Sequence, residues 1–348
     1  MARLSTQRQI VRTLLSLPAP ILRLMSGGGV VYKGGRTLDP RLQFITAGSR
    51  RSPAMNTLTP EAARDASARG LAALSGDLDP SVRVETLRVP TPAGGCAARV
   101  YRPARQDPAM PVLVYAHMGG GVIGDLDTCE AFCGLLAKTL RGPVLSVDYR
   151  LAPEHRFPAG LDDMLAAFRW ARDNAADLGA PAGQAAIGGD SMGGHFAAII
   201  AQDLQQAGEP QPALQLLVYP CVDVASETPS MTTYGDAFPL SRPIMDWFMS
   251  LYMTPSDDPI QRRLSPLGAE SLEGLAPAIV VTAGFDPLVD QGLAYAERLR
   301  QAGVAVTYRC YDSLSHGFTA FTGAIPAADR ACREIAALAR DVLKGEGV

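Results

Sequence analysis

Residues Gly189-Asp190-Ser191-Met192-Gly193-Gly194 constrain this chain more than any other stretch. A short apolar, Ala-rich run, 184–188, precedes them, and His195-Phe196-Ala197-Ala198-Ile199-Ile200-Ala201, which reads as a helix, follows. Together they predict a strand, a sharp turn and a helix. A serine on such a turn is lifted out of a sheet with its Oγ exposed, and small neighbours are needed because side chains would collide in the turn. The helix N-terminus presents free N–H groups and a positive dipole end, which suit a developing oxyanion.

A serine hydroxyl is a weak nucleophile until a base takes its proton. Four histidines are available: His117, His155, His195 and His316. His117 follows an apolar run, His155 lies in a Pro/Arg-rich loop, and His195 is on the helix that Ser191 begins; the last two read as structural. His316, in Ser315-His316-Gly317-Phe318 after an apolar run, is the candidate base. The acid is expected after a strand between Ser191 and His316. The continuous apolar run Ala278–Ala283 reads as a buried parallel strand and leads into Gly284-Phe285-Asp286-Pro287-Leu288-Val289-Asp290. Asp286 sits at the strand's C-terminal end, where functional groups gather in open α/β sheets. Asp290 is the competitor, but Pro287 as first helical residue would place it inside a helix. A third apolar run, Pro111–Ala116, delivers His117 and the glycines 119–121, whose N–H groups can approach a carbonyl without a Cβ in the way; the N–H of Met192 would join them.

Strands are expected at about 82–89, 97–101, 111–116, 144–149, 185–188, 214–219, 278–283 and 305–311. Helices are expected near 127–140, 160–177, 192–207, 288–302 and 327–343. This alternation predicts a mostly parallel eight-stranded sheet covered on both faces, with an antiparallel pair at one edge. The expected division is N-terminal cap helices over 1–75, a first core part over 76–221, a cap insertion over 222–265 and a second core part over 266–348.

With these motifs in place the chain resembles the hormone-sensitive-lipase family of esterases (bacterial family IV) within the α/β-hydrolases. The resemblance rests on HMGGGVIGD at 117–125, DYRLAPEHRFPA at 148–159, GDSMGG at 189–194, and DPLVD at 286–290 with His316-Gly317-Phe318. It implies a cofactor-free carboxylic-ester hydrolase with a Ser191–Asp286–His316 triad under a helical cap. Oxyanion donors then map to Gly119 and Gly120 beside Met192, and the family's dimers, which pair through the C-terminal edge strand and helix, make a homodimer the expected assembly. Two positions depart from the pattern: Met118 stands where the family has Gly, and Gly121 where it has an aromatic residue. Were position 118 to need a positive φ, Met would cost roughly 1 kcal/mol there. Pocket lining is assigned to Met118, Val122, Phe248, Met249, Tyr252 and Phe285, with Met245, Phe248, Met249, Tyr252 and Met253 forming an apolar stripe at helical spacing. The rival readings are a ligand-binding relative with impaired catalysis, and a lipase- or amidase-type hydrolase.

Composition narrows the class. The chain has 348 residues, 47% apolar and 19% charged, with a net charge of −3, which gives no reason to expect nucleic acid or an anionic membrane. Six cysteines show no metal spacing and read as reduced thiols in a cytoplasmic protein; no metal is expected. The apolar segment Leu14–Leu22 is broken by Pro18 and Pro20 and is too short to span a membrane; it reads as a cap helix over the site's mouth.

Overall fold

The structure is a computed structural model and describes residues 2–346. The expected sheet forms, with eight strands: β3 (Val82–Val89), β4 (Cys96–Pro103), β5 (Val112–Ala116), β6 (Val144–Val147), β7 (Ala185–Asp190), β8 (Gln215–Val218), β9 (Ala278–Phe285) and β10 (Val306–Ser315). Their spatial order is β10-β9-β8-β7-β5-β6-β4-β3. From β10 across to β6 every pairing is parallel, whereas β4 runs antiparallel to both β6 and β3. The antiparallel edge exists because only a short loop joins β3 to β4, too short for a crossover helix.

Helices α5 (Glu130–Leu140), α6 (Ala159–Asp173), α7 (Met192–Gln206), α10 (Val289–Gln301) and α11 (Pro326–Leu343) cover the sheet. Strand alternation assigns the two faces. Val112, Val114 and Ala116 of β5 pack with Phe168 of α6 and Phe196 of α7, while Leu113 and Tyr115 pack with Phe132 of α5 and Ile335 of α11. Buried on both faces, β5 has no polar position, which is why its sequence reads as an unbroken apolar run.

The N-terminal region holds α1 (Ala2–Leu15), α2 (Ala19–Met25), α3 (Pro40–Ser49) and α4 (Pro60–Leu74), with a two-stranded hairpin, β1 (Tyr32–Lys33) and β2 (Arg36–Thr37), that the sequence did not lead us to expect. The apolar N-terminal segment breaks between α1 and α2, and Leu15 and Leu22 anchor it in the protein. Between β8 and β9 lie α8 (Pro229–Thr233) and α9 (Arg242–Tyr252). No helix among the described residues is long and apolar enough to cross a membrane.

The register builds the site. Ser315 pairs with Phe285, so the residues after them, His316 and Asp286, emerge side by side. Between the Tyr311–Ala283 and Ser315–Phe285 pairs, β10 advances four residues against two on β9. This bulge carries the strand to Ser315, beyond the expected end at 311. Gly284 permits it: a Cβ there would strike the backbone of Asp312. Helix α10 begins at Val289 rather than at Pro287, and Asp290 does fall in its first turn.

Candidate active site

Ser191 terminates β7 with φ 55° and ψ −115°, a region that non-glycine residues enter at a cost of order 1–3 kcal/mol. Its N–H donates to Val218 O at 2.9 Å, and its carbonyl accepts from His195 N–H at 2.9 Å, so sheet and helix hold the strain from both sides. The surrounding glycines are required sterically. A Cβ at Gly189 would collide with Gly193, and one at Gly193 with the Ala116 carbonyl; one at Gly194 would press on Pro220 at 3.0 Å.

Three side chains from three strand ends converge here. The Ser191 hydroxyl donates to His316 Nε2 at 2.8 Å, and His316 Nδ1–H donates to Asp286 Oδ2 at 2.7 Å. Asp286 is fully buried, and its other oxygen accepts from the Leu288 N–H at 2.9 Å. The carboxylate is thus oriented by the backbone and sets the imidazole tautomer, leaving Nε2 free to take the serine proton. Asp290 is spent elsewhere, accepting from Ser230 N–H at 2.7 Å.

The other histidines are not placed for this chemistry. His117 is buried, its Nδ1–H donates to Met118 O at 2.8 Å, and its ring stacks on Tyr149. His195 is buried and donates from Nδ1 to Cys221 O at 2.7 Å. Burial pushes both imidazoles down to about 4, so each is neutral at pH 7. His155 is exposed.

Gly119, Gly120 and Gly121 all carry positive φ, at 132°, 63° and 71°, while Met118 does not, so the methionine brings no left-handed strain. A Cβ at Gly119 would strike the Ile123 carbonyl and one at Gly120 the Phe248 ring. One at Gly121 would sit 2.8 Å from Tyr252 Cδ2. The Tyr252 ring therefore fills the space where the family pattern has an aromatic residue at 121. Among the described residues, the amides of Gly119 and Gly120 donate to no protein acceptor, and Met192, first residue of α7, has no intrahelical acceptor for its N–H.

A cavity of about 90 Å³ opens on Ser191, Gly120 and Met192 and is bounded by Leu240, Phe248, Met249 and Leu288, with Asp223, Glu227 and Arg242 also on its lining. Among the expected pocket residues, Phe248 and Met249 line this space, as does Met245 from the same stripe. Val122 and Tyr252 are buried and do not line it. Phe285 packs on Tyr234 and faces a different cavity, as does the chain from Ser26 to Arg50. Residues between Ser26 and Arg50 thus line the second cavity and not the Ser191 cavity. Met118 is half-buried beside Gly317. Cys221 also lines the Ser191 cavity, but burial raises its thiol to about 12, so it is no rival nucleophile.

Several supporting residues had no sequence motif to reveal them. Tyr219 lays its ring 4.7 Å from His316 and donates its hydroxyl to Asp190 Oδ2 at 2.9 Å, and Thr319 donates to the same oxygen at 2.7 Å. Burial raises the Asp190 carboxyl, and these two hydroxyls oppose that shift. Arg64 of α4 donates to Val122 O at 2.8 Å and Ala152 O at 2.9 Å, and grips Glu154 with both terminal nitrogens. Ala152 N–H in turn donates to Gly121 O at 2.8 Å. Arg150 forks onto the buried Asp163, at 2.7 and 2.9 Å.

A strained serine at a strand-to-helix turn, hydrogen-bonded to a histidine that an aspartate orients, defines a serine hydrolase built on an α/β sheet. Comparison with known proteins narrows the class. Residues 113–320 match the α/β-hydrolase fold family, and the chain belongs to it. It is 44% identical to the carboxylic ester hydrolase LipN of Mycobacterium tuberculosis over 316 residues, covering 88% of this chain and 84% of that protein. It is 37% identical to an ethyl acetate hydrolase of Pseudomonas putida, covering 83% and 92% respectively. Among solved structures, an α/β-hydrolase enzyme from the metagenome of Lake Arreo, Spain, superposes with a TM-score of 0.83 at 40% identity, covering 88% of this chain and 96% of that one.

Proposed function

We propose that this chain is a serine carboxylesterase acting through an acyl-enzyme, and the observation that carries the reading is the unbroken chain of hydrogen bonds Ser191–His316–Asp286. In this reading His316 Nε2 takes the Ser191 proton as Oγ attacks the ester carbonyl. The amides of Gly119, Gly120 and Met192 receive the developing oxyanion. Asp286 stabilises the imidazolium, which then protonates the leaving alcohol, and water repeats the sequence to release the acid.

The substrates in this reading are esters of short to medium acyl chains, a reading supported by the modest cavity of about 90 Å³ bounded by Phe248, Met249 and Leu240; ethyl acetate is what one relative's name specifies for that relative. The division into an N-terminal segment over 1–75, a core over 76–221 and 266–348 and an insertion over 222–265 fits this use, because α9 of the insertion supplies the wall over Gly120. A homodimer through the free edge of β10 with α11 and a cytoplasmic setting belong to the same reading.

The test is initial-rate hydrolysis of p-nitrophenyl esters from acetate to palmitate, beside Ser191→Ala. The expected result is turnover of the short esters, falling with chain length and lost in the variant. Activity undiminished in Ser191→Ala would displace the nucleophile. A folded wild type inert on every ester would favour the ligand-binding alternative.

A further inference from the structure

A second cavity, of about 180 Å³, lies beside the catalytic dyad. Its walls include Gln43, Ala47, Phe238, Phe285 and Ser315, and the last two directly precede Asp286 and His316. Ser315 Oγ and Gln43 Oε1, on two of these residues, are enclosed without a hydrogen-bond partner.

The two cavities are lined by near neighbours along the chain. Phe238 lines the second cavity and Leu240 the Ser191 cavity, so Pro239 stands in the wall. Ser315 lines the second cavity and His316 touches Ser191, so the wall continues through His316 and Gly317. The Met118 side chain comes up against this wall at Gly317. A Cβ at Gly317 would lie 3.5 Å from Met118 Sδ and 3.7 Å from Pro239 Cγ.

We propose that Met118 is a specificity-determining residue that closes the leaving-group side of the site, and that shortening it joins the second cavity to the first. The assignment to the leaving group follows from chemistry. His316 must protonate the departing alkoxide, so the alcohol portion of an ester lies on the His316 side of Ser191. Space released at Gly317 therefore admits larger alcohols. The acyl portion lies on the other side of Ser191 and is unaffected. This inference rests on the ester-hydrolase reading.

The experiment compares wild type with Met118→Ala on two series: acetates of ethanol, butanol and hexanol, and ethyl esters of acetic, butyric and hexanoic acids. The ratio of kcat/KM for hexyl acetate to that for ethyl acetate is expected to rise about tenfold or more in Met118→Ala, while the acyl ratio stays put. Met118→Leu keeps the wild-type ratio. Refilling the second cavity with Ala47→Phe in the Met118→Ala background returns it. An unchanged alcohol ratio in folded Met118→Ala, or a shift confined to the acyl series, overturns the proposal. Hexan-1-ol added to each protein gives a readout free of catalysis: it is expected to raise Tm more for Met118→Ala than for wild type. Equal shifts count against the wall, whatever the esters do. A selective shift with no ester turned over would retain the wall and remove the esterase reading.

Discussion

Replacing Asp286 by Asn tests how the base is oriented. One carboxylate oxygen of Asp286 accepts from the Leu288 N–H at 2.9 Å and the other from His316 Nδ1–H at 2.7 Å. The Leu288 amide is a fixed donor, so an asparagine must place its carbonyl oxygen there and turn its NH₂ toward His316. An NH₂ group facing Nδ1 requires a lone pair on that nitrogen, which moves the imidazole proton to Nε2. Nε2 then cannot accept from Ser191, and the negative charge that would stabilise the imidazolium is gone as well. Where this substitution has been made in a chymotrypsin-type triad, kcat falls about 10⁴-fold, and the same tautomer logic predicts a loss of that order here, or ~5 kcal/mol of transition-state stabilisation. Asp290→Asn is the control. It weakens one bond, from the Ser230 N–H, and is expected to lower stability by ~1–3 kcal/mol while leaving kcat unchanged. The assay is saturation kinetics on p-nitrophenyl butyrate at pH 8, with circular dichroism to confirm folding. If Asp286→Asn keeps more than about a hundredth of wild-type kcat, or if Asp290→Asn is the more damaging change, the orientation argument fails.

Arg64→Ala cuts the ties from α4 to the carbonyls of Val122 and Ala152, and with them the bracing of the glycine loop. Losing a whole oxyanion donor costs about 10²–10³ in kcat, so loosening the loop should cost roughly tenfold, mostly in kcat rather than KM. A KM effect alone would mean that Arg64 acts on substrate binding instead. Stability should also depend on pH through His117 and His195. Their folded-state values, about 4, lie below the unfolded value near 6.5, so the unfolded state binds more protons between those limits. The stabilisation is complete above pH 6.5 and drains away as pH falls toward 4, by ~2 kcal/mol per histidine at pH 5. Urea unfolding at pH 7 and pH 5 should show this loss. His195→Asn, which keeps a donor for Cys221 O, should reduce it by about half. An identical pH dependence in the variant would rule His195 out as its source.

Much of this molecule was legible beforehand, for identifiable reasons. The central strands β5 to β9 announced themselves because burial on both faces leaves a short, mostly apolar run between turn residues. Ser191 was legible because its backbone conformation admits only small neighbours, and the chain records that need as glycines at 189, 193 and 194. Asp286 and His316 followed from their places after strand ends. What stayed hidden depends on contacts between distant residues. Nothing near Arg64 says that it will hold Val122 and Ala152, 58 and 88 residues away. Tyr252 carries no mark that its ring will fill the space above Gly121. The reach of β10 to Ser315 depends on a bulge that only the pairing with β9 reveals. The side to which Phe285 turns is likewise a matter of where the residues from Ser26 to Arg50 pack.

The central claim is that Ser191 is the nucleophile of an acyl-transfer site, and covalent labelling tests it most directly. The protein would be treated with diethyl p-nitrophenyl phosphate, digested and mapped by mass spectrometry. The account predicts one diethylphosphoryl group per chain, on the peptide carrying Ser191, formed as fast as esterase activity disappears, and no labelling in His316→Ala. A label elsewhere, or full activity in protein labelled at Ser191, would contradict it.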